Sequence, residues 1–400
     1  MDERIAKLVD EQLSVGADTL VPRDELIAKL KKSEETGVPL RVKLGIDPSA
    51  PHLTLGHSVP LRKMRQFQDL GHTGVLIVGD FTRRIGDPTG RASTRVLMSE
   101  ADIKKNIETY QEQAYKILDP ERTEVRYNSE WLGVLTLEDI INLTAKYTVA
   151  RMLERDDFSK RYAEGRSISV LEFLYPLTQA YDSVAIHADV ELGGSDQQFN
   201  LLVGRDIQRE YGQEPQVVLT VPLLIGIDGE RAMSQTTGNY VGLNEAASEM
   251  YGKVLSIPDA LINSYFVFLT DIDPDNSVIE LAPRDAKRKL ARVLVTMYHS
   301  AEAAAAAEEE FDRIHIRHER PSDVPQVSLD RALLKDGGDI WIIDLLQASG
   351  LVESRSQAKR LIQQGGVKIN DEKALSADLD IPFDPPMMLQ VGKRAFVELI

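Results

Sequence analysis

The segment "EFLYPLTQAYD" (residues 172–182) carries three polar side chains at helical spacing. Tyr175, Gln179 and Asp182 occupy positions i, i+4 and i+7, so in a helix they share one face. Their neighbours are largely apolar, which predicts that this face points inward. Because a buried carboxylate needs a partner, the stripe indicates a pocket for a small ligand with an ammonium group and a hydroxyl. A Tyr–Gln–Asp network satisfied within the core is the alternative.

Three loops rich in glycine and aspartate follow predicted strands: "GIDPSAPHLTLGH" (45–57), "GDFTRRIGDPTGR" (79–91) and "ELGGSDQQ" (191–198). Ligands of open parallel sheets bind at the carboxyl ends of the strands. His57 lies where a helix should begin, and free N–H groups there favour phosphate. Gly194 allows close backbone approach, and Asp196 suits a ribose hydroxyl. One such loop can be a plain turn, but three at the strand ends of one sheet predict a nucleotide site.

The elements that would position these residues alternate up to about residue 225. Strand-like runs at 41–46, 74–80, 124–128, 183–187 and 216–224 are interleaved with helical patterns at 58–69, 102–118 and 197–211. This alternation predicts an α/β fold, with a Rossmann-type parallel-sheet catalytic domain over residues 1–245 and a helical insertion at about 137–180. We expect an all-helical domain at 246–320, a proline-containing linker at 321–338 and a small α+β module at 339–400.

Composition narrows the classes of function. The 400 residues include no cysteine, which excludes disulfides, cysteine zinc sites and thiol nucleophiles. The net charge of −16 disfavours nucleic acid unless positive charge is local. No apolar run approaches the ~20 residues of a membrane span, and the charged start of the chain predicts a cytoplasmic protein. His315 and His318 are spaced like a metal pair but have no third ligand nearby in sequence, so we predict no metal site.

Several stretches together resemble the bacterial tyrosyl-tRNA synthetases, a class I family. They are "LRKMRQFQDLGH", "GDPTG", "YNSEWL", "TVARMLERDDF", "EFLYPLTQAYDSV", "ELGGSDQQFNLLVGRD" and "YGQEPQV", in this order along nearly the whole chain. The resemblance implies formation of tyrosyl-adenylate from tyrosine and ATP, with Mg²⁺ carried by ATP, and transfer to tRNA(Tyr). It also implies a homodimer through the helical insertion, a helical anticodon-binding domain and an S4-like RNA-binding module. In that module Arg355, Lys359 and Arg360 form a basic helical face to which Lys368 adds, and we predict that they bind RNA; a solvated helix face is the alternative.

The resemblance assigns the amino-acid pocket residue by residue. Asp87, Tyr175 and Gln179 match the residues that hold the tyrosine ammonium group. Asp182 matches the carboxylate that accepts the phenolic hydroxyl, and Gln197 matches a further pocket residue. A buried acid facing the phenol makes phenylalanine costly to bind, because the acid would lose its partner.

The ATP side departs from the family pattern at both class I motifs. The family's His-x-Gly-His corresponds to residues 54–57, so Thr54 stands in place of the first histidine and Gly56 and His57 are kept. The family's Lys-Met-Ser-Lys-Ser corresponds to residues 232–236, and both lysines are replaced. The other residues matched to this side are Arg91 and Arg95 on a phosphate-clamping loop, and Asp47, Ser49, Gly194, Asp196, Met233, Ser234 and Gln235 around ATP.

Two interpretations follow. The first is a tyrosine–tRNA ligase in translation, in which Thr54, His57, Arg91 and Arg95 support the phosphates. The second is a synthetase-like paralogue that binds tyrosine or RNA without efficient activation, which the replaced lysines favour. An ordinary Rossmann dehydrogenase or P-loop hydrolase is disfavoured, because neither G-x-G-x-x-G nor G-x-x-x-x-G-K-[ST] follows a strand.

Overall fold

The computed structural model describes residues 2–48, 51–86, 109–273, 278, 280–317, 319, 324–335, 337–392 and 395–400. The chain divides into two compact units, residues 1–301 and 302–400. The predicted domain boundaries near 245, 320 and 338 stay predictions.

In the described part of the first unit, six strands form one sheet. They are β1 (Thr19–Val21), β2 (Arg41–Ile46), β3 (Thr73–Val78), β4 (Thr123–Tyr127), β5 (Val190–Gly194) and β6 (Val217–Val221). Their order is β1-β6-β5-β2-β3-β4. Strands β2 to β6 run parallel, and β1 pairs antiparallel with β6. The predicted parallel α/β sheet is confirmed, and the short antiparallel edge strand β1 is an addition that the sequence analysis missed.

The chain direction across the sheet reverses between β2 and β5. From β2 the chain moves outward through β3 and β4, and it then returns to place β5 on the other side of β2. Such a reversal leaves a crevice at the carboxyl ends of the two central strands. Two of the predicted nucleotide loops, which begin at residues 45 and 191, therefore meet at the same point.

Helices cover the sheet and form the insertion. Those before β5 are α1 (Asp2–Leu8), α2 (Arg23–Thr36), α3 (Leu55–Asp69), α4 (Thr82–Ile85), α5 (Tyr110–Ala114), α6 (Ser129–Leu132), α7 (Leu137–Thr144), α8 (Val149–Met152), α9 (Asp156–Ala163) and α10 (Val170–Ile186). After β5 follow α11 (Gln198–Glu210), α12 (Ala247–Leu255), α13 (Ile262–Leu269), α14 (Pro283–Tyr298) and α15 (Ala301–His315). The helical insertion and the helical region after residue 246 agree with the sequence analysis.

The strand predicted at 183–187 is wrong, because these residues are the last turns of α10. The helix starts at the cap Ser169, whose backbone N–H donates to Glu172 Oε1 at 2.8 Å, and it ends at His187 in the left-handed conformation. Val184 joins the apolar cluster formed with α11, and Ile186 packs against β3. These two β-branched residues suggest a strand locally, but packing on both sides of the helix overrides that preference.

The second unit contains a small α+β module. Its elements are β7 (Gln326–Val327), β8 (Asp339–Trp341), α16 (Ile342–Ala348), α17 (Arg355–Gln363), β9 (Val367–Ile369), β10 (Glu372–Lys373), β11 (Asp380–Pro382), β12 (Met387–Val391) and β13 (Ala395–Leu399). Strand β7 lies inside residues 321–338, which the sequence analysis predicts to be a linker because of its prolines. It nevertheless pairs in parallel with β13. Leu329, two residues later, is buried in the apolar core of this module.

A fully buried ion pair ties α10 to the sheet. Lys43 Nζ on β2 lies 2.8 Å from Glu191 Oε1 on β5, and both side chains are almost wholly excluded from solvent. Lys43 Nζ also donates to Gln179 O at 2.9 Å and to Ser183 Oγ at 2.8 Å. Glu191 accepts further bonds from the side-chain amides of Gln179 and Gln216. These contacts compensate the desolvation of both charges only while both partners are present.

We predict that Lys43→Met lowers the free energy of unfolding by about 3–5 kcal/mol, because Glu191 is left as an uncompensated buried charge. The measurement is urea denaturation followed by far-UV circular dichroism. Lys32→Met is the matched control, since Lys32 forms an exposed pair with Glu214 at 3.2 Å and should cost less than about 1 kcal/mol. Equal losses in the free energy of unfolding for the two substitutions would contradict the claim that the buried pair stabilises the fold more than the exposed pair does.

Candidate functional site

A cavity of about 220 Å³ opens at the reversal point of the sheet. It brings together residues from the loops after β2 and β5 and from two later loops. The lining residues are Leu44, Gly45, Ile46, Asp47, Thr54, Gly56, His57, Pro60, Gly194, Asp196, Gln197, Val221, Pro222, Leu223, Leu224, Ala232 and Met233. Seven of the residues predicted to act on the ATP side are therefore found around one cavity.

Helix α3 presents His57 to this cavity in a defined tautomer. The backbone N–H of Thr54 donates to His57 Nδ1 at 3.2 Å, and Thr54 Oγ1 lies 2.9 Å from the same nitrogen. Because Nδ1 accepts, the proton of the neutral ring resides on Nε2. Burial lowers the pKa of His57 to about 4. At neutral pH, His57 is therefore an uncharged hydrogen-bond donor near the start of a helix.

The loop that contains Ala232, Met233, Ser234 and Gln235 is organised by buried Asn239. The Asn239 side chain donates to Asp228 Oδ2, Arg231 O and Ala232 O, at 3.0 to 3.3 Å. Its oxygen accepts from Ser234 N at 2.9 Å and from Thr237 Oγ1 at 2.7 Å. The side-chain amide of Gln235 donates to the carbonyl of His52 and so joins this loop to the loop after β2.

The β5 loop needs its glycines because its own side chains fold back on it. A Cβ atom at Gly194 would lie 2.6 Å from Asp196 Oδ1, and one at Gly193 would lie 2.8 Å from Gln197 Oε1. The Gly194 N–H donates to Gln197 Oε1 at 3.1 Å. The predicted close approach of a ligand to this backbone stays a prediction. Gln197, which was assigned to the amino-acid pocket, also lines the nucleotide-side cavity.

The polar stripe on α10 faces the interior, as its spacing predicts. Tyr175, Gln179 and Asp182 are each less than a tenth exposed. Tyr175 OH donates to Asp47 Oδ2 at 3.0 Å, so this stripe reaches the residue that borders the cavity. Gln179 donates to Glu191 Oε1 and accepts from Asn200 Nδ2, both at 3.2 Å.

Asp182 is a buried carboxylate with two donors already in place. Trp131 Nε1 donates to Oδ1 at 2.7 Å, and Asn128 Nδ2 donates to Oδ2 at 3.3 Å. Burial raises the pKa of Asp182 to about 7, against the opposing effect of nearby Lys43. The acid therefore lies near the midpoint of its titration at neutral pH, and once ionised it can accept a bond from a ligand hydroxyl.

The sequence analysis missed the residues that surround the stripe. In the sequence, Lys43 is one polar residue within a predicted strand, and Thr82 is one residue of a predicted loop. Trp131 and Asn128 lie inside the quoted motif "YNSEWL", which was a signal that could have been followed. Four predicted site residues lie outside the described residues: Ser49, Asp87, Arg91 and Arg95.

The basic residues of the second unit lie on α17 and β9. Arg355, Lys359 and Arg360 are exposed, whereas Lys368 is partly buried. The Arg355 guanidinium and the Lys359 ammonium lie 5.6 and 5.9 Å from the ring centre of Trp341. Arg355 also pairs with Asp344 at 2.9 Å. Two cationic groups thus lie near one aromatic ring, and one of them is paired with a carboxylate.

Membrane-spanning helices and clusters of metal-ligating side chains are absent from the part of the chain that the structure describes. None of the described helices is both long and apolar enough to cross a membrane. No group of three or more His, Cys, Asp or Glu side chains in the described ranges could hold a metal ion.

Comparison with known families matches both units of the chain. Residues 35–315 match the family model described as class I tRNA synthetases (W and Y). Residues 340–379 match the S4 domain. The tyrosine–tRNA ligase of Moorella thermoacetica is 50% identical over 394 residues, covering 96% of this chain and 94% of the relative. That of Carboxydothermus hydrogenoformans is 50% identical over 400 residues, with 98% and 97% covered.

Solved structures agree in fold. The C-terminally truncated mitochondrial tyrosyl-tRNA synthetase of Aspergillus nidulans superposes with a TM-score of 0.63 at 22% identity, covering 78% of this chain and 98% of that one. The truncated Coccidioides posadasii enzyme gives 0.61 at 24% identity, with 77% and 96% covered. With half of its residues identical to those of bacterial relatives over nearly its full length, the chain belongs to the tyrosyl-tRNA synthetase family of class I.

Proposed function

We propose that this protein is a tyrosine–tRNA ligase, which activates tyrosine with ATP and esterifies tRNA(Tyr). The observation that carries the proposal is the buried stripe on α10, with Asp182 beyond Tyr175 and Tyr175 bonded to Asp47 at the nucleotide cavity. A phenol directed at Asp182 leaves the ammonium and carboxylate groups of tyrosine toward Asp47. This arrangement puts the reacting carboxylate beside the nucleotide.

The reaction needs positioning more than covalent chemistry. An oxygen of the tyrosine carboxylate attacks the α-phosphorus of ATP and pyrophosphate leaves; a terminal ribose hydroxyl of tRNA then attacks the tyrosyl carbonyl and AMP leaves. His57, held neutral with its proton on Nε2, donates toward the phosphate as charge develops there. Asp196 suits the ribose hydroxyls of the adenylate. Tyr175, Gln179 and Gln197 shape the tyrosine side of the pocket, together with Asp87 by family resemblance.

Mg²⁺ is expected to enter with ATP, where it offsets phosphate charge. Asp47 and Asp196 are the carboxylates of the described cavity lining, and they suit outer contacts to such an ion. Gly56 and Gly194 leave room for the phosphate and ribose, while Met233, next to Ser234, borders the cavity from the second loop.

The wider surface supports a homodimer and RNA binding. Val134, Leu137 and Val170, at the helical insertion, are each at least 75% exposed. Large exposed apolar side chains in one region indicate a protein interface, and a second copy is the partner that the family implies. Arg355, Lys359, Arg360 and Lys368 would contact tRNA phosphates. The cytoplasm is the compartment that goes with this function.

Tyrosine-dependent exchange of pyrophosphate into ATP, followed by charging of tRNA(Tyr), tests the proposed function. We expect exchange above a no-enzyme control, because pocket and cavity adjoin. Tyrosine binding by calorimetry is measured in parallel. Binding without any exchange would instead support the paralogue that holds tyrosine but does not activate it.

The replaced motif residues bear on the rate of activation. The described lining of the nucleotide cavity includes two carboxylates and the uncharged His57, but neither lysine nor arginine. Ala232 and Gln235 occupy the positions that resemblance assigns to the family's two lysines. Donors of this kind act on charge that develops in the transition state, and losing one costs on the order of 10²–10³ in rate. We therefore propose a slow enzyme whose substrate pockets are intact.

The double substitution Ala232→Lys and Gln235→Lys should raise the exchange rate by at least about tenfold, because it adds positive charge where pyrophosphate departs. Steady-state exchange at saturating tyrosine measures the effect. Thr236→Lys is the control, since it adds one positive charge at an exposed neighbouring position. An equal gain in the control, or none in the double variant, would refute the assignment of these two positions.

Tyrosine binding should strengthen with pH through the titration of Asp182. With the pKa raised to about 7, the carboxyl is mostly protonated at pH 6 and mostly ionised at pH 8. The ionised form offers both oxygens as charged acceptors to the phenol, Trp131 and Asn128, whereas the protonated form is uncharged and turns one oxygen into a donor. We expect about a tenfold gain in tyrosine affinity from pH 6 to pH 8, measured by calorimetry. Phenylalanine should show no such gain, and an equal step for both ligands would exclude Asp182 as its cause.

A further inference from the structure

Two uncharged side chains connect the phenol side of the site with the nucleotide side. Asn128 is fully buried at the end of β4, and Thr82 is 3% exposed at the start of α4. Asn128 Nδ2 donates to Asp182 Oδ2 at 3.3 Å and to Thr82 Oγ1 at 3.0 Å. Thr82 Oγ1 in turn donates to Asp47 Oδ1 at 3.0 Å. A continuous hydrogen-bonded path thus joins Asp182 to Asp47.

The direction of every bond in this path is fixed by chemistry. An amide nitrogen can only donate, so the Thr82 oxygen must accept from Asn128 and turn its own proton toward Asp47. The Asn128 oxygen is occupied by the backbone N–H of Phe81 at 2.9 Å, which prevents the amide from flipping. Tyr175 OH holds the other oxygen of Asp47 and lies on the same helix as Asp182, so the path closes into a ring.

We infer that Thr82 and Asn128 are positioning residues that couple the two halves of the site, so that a hydroxyl bound at Asp182 increases the affinity of ATP. A ligand hydroxyl that donates to Asp182 competes with the longer bond from Asn128. The side-chain N–H of Asn128 then bonds more strongly to the Thr82 oxygen. This polarises the Thr82 hydroxyl, which in turn donates a stronger hydrogen bond to Asp47. Asp47 borders the nucleotide cavity, so its orientation is fixed before ATP arrives. Linkage makes the effect reciprocal.

This inference rests on the proposed function for its two ligands, but its test needs no catalysis. Tyrosinol and phenylalaninol lack the reacting carboxylate and differ from each other only in the phenolic hydroxyl. ATP affinity is measured by calorimetry on the full chain saturated with either amino alcohol. In the unmodified protein we expect tyrosinol to raise ATP affinity at least about fivefold relative to phenylalaninol.

Substitution at Thr82 separates coupling from simple structural support. Thr82→Val removes the hydroxyl at nearly constant volume and should reduce the tyrosinol advantage to less than about twofold, while Thr82→Ser should restore it. Thr178→Val is the matched control, because Thr178 is also buried and its hydroxyl donates to a backbone carbonyl, Tyr175 O at 2.9 Å, and not to the side chains of Asn128, Thr82 or Asp47. The control should keep the full advantage.

The outcomes distinguish the two proposals. A tyrosinol advantage that is missing in the unmodified protein, kept in Thr82→Val, or lost equally in Thr178→Val would overturn the coupling while leaving the ligase proposal intact. Failure of tyrosinol to bind at all would remove both proposals. Should Thr82→Val fail to fold, Thr82→Ala, which also removes the hydroxyl, takes its place in the comparison with Thr82→Ser.

Discussion

The amino-acid site depends on keeping carboxylates inside the protein. Asp182 and Glu191 lie one on each side of the contact between α10 and the sheet, and both are nearly excluded from solvent. Glu191 is in direct contact with the counter-charge of Lys43, whereas the hydrogen bonds to Asp182 come from the neutral donors Trp131 and Asn128 and Lys43 acts on it without a direct bond. Desolvation therefore remains visible at Asp182 as a raised pKa. One acid is suited to hold the helix in place, and the other is suited to receive a ligand.

The sheet topology explains why the proposed amino-acid pocket adjoins the proposed nucleotide cavity. Strands β2 and β5 are adjacent, and the loops that leave them carry Asp47 and Asp196 to the same cavity. Helix α10 crosses beside them and reaches Asp47 through Tyr175. The order of the strands brings together side chains that are more than a hundred residues apart in sequence. Small changes in the packing of α10 would consequently be felt on both sides of the site.

Sequence patterns predicted the parts of this arrangement that depend on local spacing. The stripe at 175, 179 and 182 needs only helical periodicity, and the loops after β2 and β5 need only turn residues behind apolar strands. Tertiary contacts decided what those patterns could not. The end of α10 has β-branched residues yet stays helical because Val184 and Ile186 pack against other elements. The partner of Asp182 could not be deduced from spacing, since Trp131 lies 51 residues away.

The contacts that organise the proposed nucleotide loops do not depend on charge at Ala232 or Gln235. The backbone N–H of Thr54 donates to His57, and the side chain of Asn239 accepts from the backbone N–H of Ser234. The side-chain amide of Gln235 donates to the carbonyl of His52 in the loop after β2. These contacts use backbone groups and neutral side chains, which do not need the lysines that the family places there. Electrostatic assistance to the departing pyrophosphate, in contrast, requires full charges at defined positions. Substitutions at Ala232 and Gln235 can therefore alter the rate of activation while the pocket that selects tyrosine keeps its shape.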